Sequence, residues 1–226
     1  IRNYTTNPDN PITGEVWYNE TDNVLKFQIP NLSTTGVWVS GGNLNEGRNA
    51  GGSAGTQDAA LFFGGDPSPA PNTNSTESYN GTSWTEVNNL NTARRELFAG
   101  LGQTNTAALA VGGAPPGTYG GTELWNGTNW TEVNDLNNGG NGGGANGSST
   151  SGLAAGGSRG SPVNAETEIW NGTNWTEVNN LNTARSAFPG SSGADSTSAI
   201  YSGGYTTTNV AVAESWNGTN WTEVND

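Results

Sequence analysis

Apolar residues in this chain fall in runs too short for a helical stripe, and most of them stop at glycine. ALFF and ALAV close on the pairs Gly64–Gly65 and Gly112–Gly113, and further pairs stand at Gly156–Gly157 and Gly203–Gly204. Downstream of each pair the chain reads ESYNGTSW, ELWNGTNW, EIWNGTNW or ESWNGTNW, with two aromatic or aromatic-like strand formers flanking an Asn-Gly. Asn-Gly tolerates the positive φ of tight turns, so each octet predicts a β-hairpin. Each unit therefore holds a strand ending near the glycine pair, one before Asn-Gly and one starting at the second aromatic. A fourth is expected after a recurring arginine, through RELFAG in one unit and RSAFPG in another. The N-terminal stretch predicts a separate hairpin, Glu15 to Tyr18 and Val24 to Gln28 around a polar turn at Asn19 to Asn23.

The units are periodic. Trp38, Trp84, Trp130, Trp175 and Trp221 are separated by 46, 46, 45 and 46 residues, and Leu44, Leu90, Leu136 and Leu181 each follow their tryptophan by six. Four strands in such a period match one blade of a β-propeller, for which roughly 40–50 residues are usual. The expected fold is all-β: a β-propeller of four complete four-stranded blades, approximately 43–87, 88–133, 134–178 and 179–226, behind an entry segment at 1–40. Either four blades close alone, or residues 14–40 supply part of a fifth position, the arrangement favoured; an open stack or solenoid of the same period is the structural alternative. The third unit replaces Thr-Ala-Arg with Asn-Gly-Gly and continues as GGGANGSST, so its fourth strand is expected to be frayed.

Composition changes this picture little. Glycine supplies 35 of 226 residues, a level that suggests disorder, but nine tryptophans at ordered intervals give thin strands a core to bury. Seven basic against 20 acidic residues leave a net charge of −13, which disfavours nucleic acid as a partner. No apolar run approaches the ~18 residues of a membrane span, and no signal peptide is evident, so no membrane insertion is expected. The start at Ile1 reads as a processed or truncated product. Without cysteine or histidine there is no disulfide, no thiolate or imidazole metal site and no histidine-based triad, and no cofactor or metal is expected. The acidic residues show no Ca²⁺-loop spacing, and the repeated Asn-Gly-Thr is explained by the turn rather than by glycosylation.

Carboxylates are the remaining catalytic candidates. Glu77, Glu123, Glu168 and Glu214 recur in every unit, as do Glu86, Glu132, Glu177 and Glu223. A glycosidase pair needs two particular carboxylates, whereas a residue present in every blade serves the blade; the first set is read as accepting hydrogen bonds from a neighbouring loop and the second as facing solvent. Arg48, Arg94 and Arg185 share one position and are read as tying adjacent blades through carbonyls or carboxylates, with an anion-binding ring at the propeller mouth as the other reading; Arg95, without a counterpart, is read as exposed. The repeat tryptophans Trp84, Trp130, Trp175 and Trp221 are read as blade core rather than as sugar-stacking platforms. Recognition is expected instead in the loops that differ between units, 66–75, 114–121, 158–165 and 205–212, which should emerge on one face. Tyr119, Arg159 and Tyr205 are their most contact-capable side chains.

The glycine pair, the aromatic some fifteen residues on, the tryptophan five beyond it and the arginine ten beyond that resemble the kelch repeats of galactose-oxidase-like propellers, over residues 38–226. Within that pattern the Asn/Thr/Gly-rich units look most like repeat proteins of marine bacteriophage virions such as tail fibres, and NPDNPITGEVWYNETDNVLKFQ resembles the entry segment that precedes such repeats. The resemblance implies a non-enzymatic tail-fibre, appendage or capsid-decoration module at the virion surface, partnered by host-surface glycan or protein or by other virion subunits. It leaves room for a homo-oligomer, although no heptad pattern is visible. A secreted or cell-surface carbohydrate-binding adhesin is the alternative, and a carbohydrate-active enzyme ranks third.

Overall fold

A computed structural model of the chain describes residues 2–6, 16–27, 40–69, 71–98, 101–114, 120–159, 163–187 and 190–224. Among these residues there is no helix, and the chain divides into two compact units, Ile1–Ser40 and Gly41–Asp226. The smaller unit is a three-stranded sheet in which β1 (Arg2–Tyr4) runs parallel to β2 (Val16–Asn19) and β2 antiparallel to β3 (Val24–Phe27). Trp38 and the rest of 28–39 lie outside the described residues, and so does that part of the expected fifth position.

The larger unit is four antiparallel sheets of four strands each, ordered as in the sequence. The first blade is β4 (Gly52–Thr56), β5 (Ala59–Phe63), β6 (Thr76–Tyr79) and β7 (Trp84–Val87). The second is β8 (Leu101–Thr104), β9 (Ala107–Val111), β10 (Thr122–Trp125) and β11 (Trp130–Val133). The third is β12 (Gly144–Gly147), β13 (Gly152–Ala155), β14 (Thr167–Trp170) and β15 (Trp175–Val178). The fourth is β16 (Gly190–Asp195), β17 (Ser198–Ser202), β18 (Ala213–Trp216) and β19 (Trp221–Val224). The first strands, β4, β8, β12 and β16, are the inner ones, and all four line a single channel. Gln103 of β8 reaches across it, its Nε2 donating to the Ala194 carbonyl of β16 at 3.3 Å. The fold is therefore all-β, with four blades set around a common channel in propeller fashion.

Alternation of side chains along the middle strands explains how blades meet. In β9 the face with Ala108 and Ala110 packs toward the first blade and the face with Leu109 and Val111 toward the third, so larger side chains of one blade meet small ones of the next. Leu61, Phe63 and Val87 pack on Ala108, Ala110, Trp125 and Trp130. Leu109, Val111, Leu124 and Val133 do the same against Ala145, Ala154, Trp170 and Trp175. Leu153, Ala155, Ile169 and Val178 repeat it against Ala199, Tyr201, Trp216 and Trp221. Each fully buried side chain of this size contributes about 1.5–3 kcal/mol, so three such junctions dominate the stability of the unit.

Three expectations need correction. The fourth strand of each unit lies farther from the arginine than RELFAG and RSAFPG suggested: β8 starts at Leu101 and β16 at Gly190. It is also built mostly from small residues outside β8, because strands converging on one axis have little room for large side chains. For the same reason the third unit is not frayed there; GANG forms β12 and pairs residue for residue with β13. Finally, Trp130, Trp175 and Trp221 are buried, but Trp84 is only half-buried, as is its neighbour Tyr79 on the front of the first blade.

The Asn-Gly turns join antiparallel strands, as expected. In NGTS and NGTN the glycine takes the positive φ, near 90° at Gly81, Gly127, Gly172 and Gly218, while the asparagine does not. Its Oδ1 instead accepts from the next two amides, as Asn126 does from Thr128 (3.0 Å) and Asn129 (2.9 Å).

Candidate functional site

The periodic polar residues converge on the junctions between blades. After leaving the outer strand of one blade, the chain lays Asn91, Thr92 and Arg94 over the next, where Glu123 Oε2 accepts from the Asn91 amide and side chain, both at 2.8 Å, and Oε1 lies 2.9 Å from Arg94 Nη1. The same segment is pinned to the blade it has left: the Leu90 amide donates to Asn74 O (3.0 Å), and Arg94 O accepts from the Gly65 amide (2.9 Å). Asn182 and Arg185 repeat the arrangement on Glu214, and Asn45 and Arg48 repeat it on Glu77. Burial pushes the Glu77 and Glu214 carboxyls up, but the arginine and asparagine donors outweigh it and hold both below the ordinary glutamate value. These glutamates thus have the loop-acceptor role expected of them, and the arginines tie neighbouring blades.

The third unit departs from this. Gly140 stands at the arginine position, and Glu168, 2% exposed, accepts from the Asn137 amide (2.9 Å), the Asn137 side chain (2.8 Å) and the Asn138 amide (2.8 Å). The Phe98 ring occupies neighbouring space: a Cβ on Gly157 would meet it at 3.2 Å, where the corresponding atoms on Gly113 and Gly204 would meet the stems of Arg94 and Arg185.

Two further sets of contacts were not read from the sequence. The indole N–H of Trp130, Trp175 and Trp221 donates to the hydroxyl of Thr76, Thr122 and Thr167 in the preceding blade, at 3.0–3.1 Å. Just ahead of the inner strands, Glu96 N donates to Ala50 O, Gly142 N to Glu96 O and Ala187 N to Gly142 O, all at 2.7–2.8 Å, with all four residues in the left-handed region.

With the repeated groups engaged in junctions, the non-repeated loops between the second and third strands of each blade are where the units differ from one another. They share one end of the unit. The first residue of each pairs with the residue just past the arginine position, in the bridges Asn49–Asp66, Arg95–Ala114, Asn141–Ser158 and Ser186–Tyr205. Neighbouring loops touch: Asn72 Nδ2 donates to Ala114 O at 2.6 Å, and Arg95 reaches Asp66 at 2.6 Å. Arg95 is thus partly exposed and ion-paired. The Ser68 amide and Arg95 hold Asp66 below the ordinary aspartate value.

Of the three candidate contact residues, Arg159 is exposed and lines an open pocket of about 400 Å³ on this face, with Val163, Asn164, Glu166, Asn180 and Ala184. Among the described residues Arg159 has no ion pair, so its planar donor fork is available to a carboxylate or phosphate group. Glu166, half-buried, offers an acceptor in the same pocket. Tyr205 is 45% exposed on the fourth blade and does not line the pocket; Tyr119 lies outside the described residues.

No family model matches the chain, and no curated protein matches it. Glu166 was missed in the sequence, although a signal was there: its counterparts before the third strand are Ser75, Gly121 and Val212, so it is a departure from the repeat on the same loop as Arg159.

Proposed function

We propose that this chain is a non-enzymatic recognition or structural module of a virion appendage, a kelch-like propeller whose loop face meets a host-surface glycan or protein, or another virion subunit. The observation that carries the reading is the division of labour between repeated and unrepeated residues. The buried glutamates, the aligned arginines and most of the repeat tryptophans are occupied in blade junctions, while the unlike loops gather at one end around an unpaired arginine. A scaffold that fixes its common residues internally and varies its protruding connections supports binding better than turnover. The step to a phage virion rests on the resemblance of the repeats and of the entry segment. In the pocket, Arg159 and Glu166 suit a ligand that carries an acceptor or carboxylate beside hydroxyl groups.

The test is a glycan array probed with the chain, alongside mass spectrometry of purified virions from the source phage. Binding without turnover that is lost in Arg159→Ala, in a chain present in the particle, is the expected result. Hydrolysis abolished by changing a single carboxylate, or virions lacking the chain, would overturn the reading.

A further inference from the structure

We infer that the central channel is a second binding site, one that takes an uncharged, polyhydroxylated small molecule of mono- or disaccharide size. Its volume is about 620 Å³, inside the roughly 300–1,000 Å³ of small-molecule sites. The lining comes from all four inner strands, and its side chains are Ser53 and Thr56 of β4, Gln103 of β8, Asn146 of β12, and Ser191 and Ser192 of β16, separated by glycine and alanine. Although the chain carries 27 charged residues, as 7 basic and 20 acidic, none of those among the described residues lines this channel. A phosphate would find no cation there and a divalent metal no carboxylate, so neither class of ligand is favoured.

The lining suits hydroxyl groups. Asn146 Nδ2 donates to Asp195 O at 3.0 Å and Ser191 Oγ to Ala145 O at 3.2 Å, which fixes two of the side chains in place. Asn146 is 6% exposed and its Oδ1 has no hydrogen-bond partner, an acceptor out of water that any donor nearby would satisfy. The hydroxyls of Ser53, Thr56 and Ser192 make no hydrogen bond to the described residues, and each can both donate and accept. A sugar hydroxyl has the same dual character, so a saccharide can displace channel water group for group. Among the described residues no aromatic lines the channel, so binding rests on hydrogen bonds and an affinity in the millimolar range follows. The site is separate from the loop-face pocket and does not depend on the reading given to it.

Titrating the full chain with neutral mono- and disaccharides, with glucuronate and with Ca²⁺, and following backbone amide shifts, tests the inference. Neutral sugars are expected to move residues 53–56, 102–103, 145–147 and 191–193. Ser53→Ala and Ser192→Ala, on exposed positions that leave folding intact, should each weaken the effect roughly fivefold, whereas Arg159→Ala should leave it unchanged. Shifts confined to the loop face, a response to Ca²⁺ alone, or no response to any sugar would overturn it.

Discussion

Replacing Glu123 by Gln and Glu168 by Gln perturbs two equivalent junctions, of which only the first holds a guanidinium. Glu123 sits 2.9 Å from Arg94 Nη1, and both side chains are at most 1% exposed. Glutamine at 123 leaves the buried guanidinium facing a neutral amide, and breaking such a pair from one side costs about 3–5 kcal/mol. Among the described residues Glu168 has the three N–H donors of Asn137 and Asn138 and no guanidinium. Glutamine at 168 turns one N–H toward another and loses a charge-assisted bond, a cost of about 1.5–3 kcal/mol. Urea unfolding followed by tryptophan fluorescence reads both, with midpoint losses of about 1–2 M for Glu123→Gln and about 1 M or less for Glu168→Gln. Amide exchange at Asn91 and Asn137, whose N–H groups donate across the two junctions to Glu123 and Glu168, locates the damage. Equal losses, or a larger loss at 168, would refute the assignment of the arginine as the junction tie.

Other consequences can be measured on the same footing. Because Glu77 and Glu214 are held below the ordinary glutamate value when folded, the stability they add is complete above the unfolded pKa and disappears as pH falls through the folded one; denaturation midpoints should drop below about pH 4, and less steeply in Glu214→Gln. Gly113 has φ near 112°, and a Cβ there would stand 2.9 Å from Arg95 O, so Gly113→Ala should cost about 1–3 kcal/mol in chemical denaturation. Ala187, with φ near 52°, is the opposite case: Ala187→Gly should stabilise by about 1 kcal/mol in the same assay. Thr122→Val removes the acceptor 3.1 Å from the Trp175 indole while keeping its shape, and should lower stability by about 1–3 kcal/mol with a shift in tryptophan emission.

The period of the fold was legible because the indoles that set it are large, rare and evenly placed. The outer three strands of each blade followed from the same signal, since aromatic and aliphatic residues alternate there and Asn-Gly marks the turn. The inner strand was not legible. Its residues are mostly small or polar, and LGQT, GANG and GSSGAD read in isolation as loop. The loss of arginine at Gly140 was visible, but its meaning was not: the blade keeps its strand and the junction keeps its glutamate, with Asn138 as donor and Phe98 nearby. For the candidate site, Arg159 stood out because it breaks the repeat, and Glu166 could have been found by the same rule. Asn180 could not, because in every unit that segment looks like a turn. The channel residues were hidden for a related reason: serine, threonine and glycine are the commonest loop residues, and only the convergence of four strands turns them into a lining.

The central claim is that the four blades surround one channel instead of running in line. The chain has no cysteine, so Gln103→Cys with Ala194→Cys gives a clean pair on the inner strands of the second and fourth blades. A short bis-thiol reagent should join them within one chain in high yield. In a linear stack the third blade would hold them about 20 Å apart, two sheet spacings, and an absence of intramolecular cross-link in the folded protein would contradict the account.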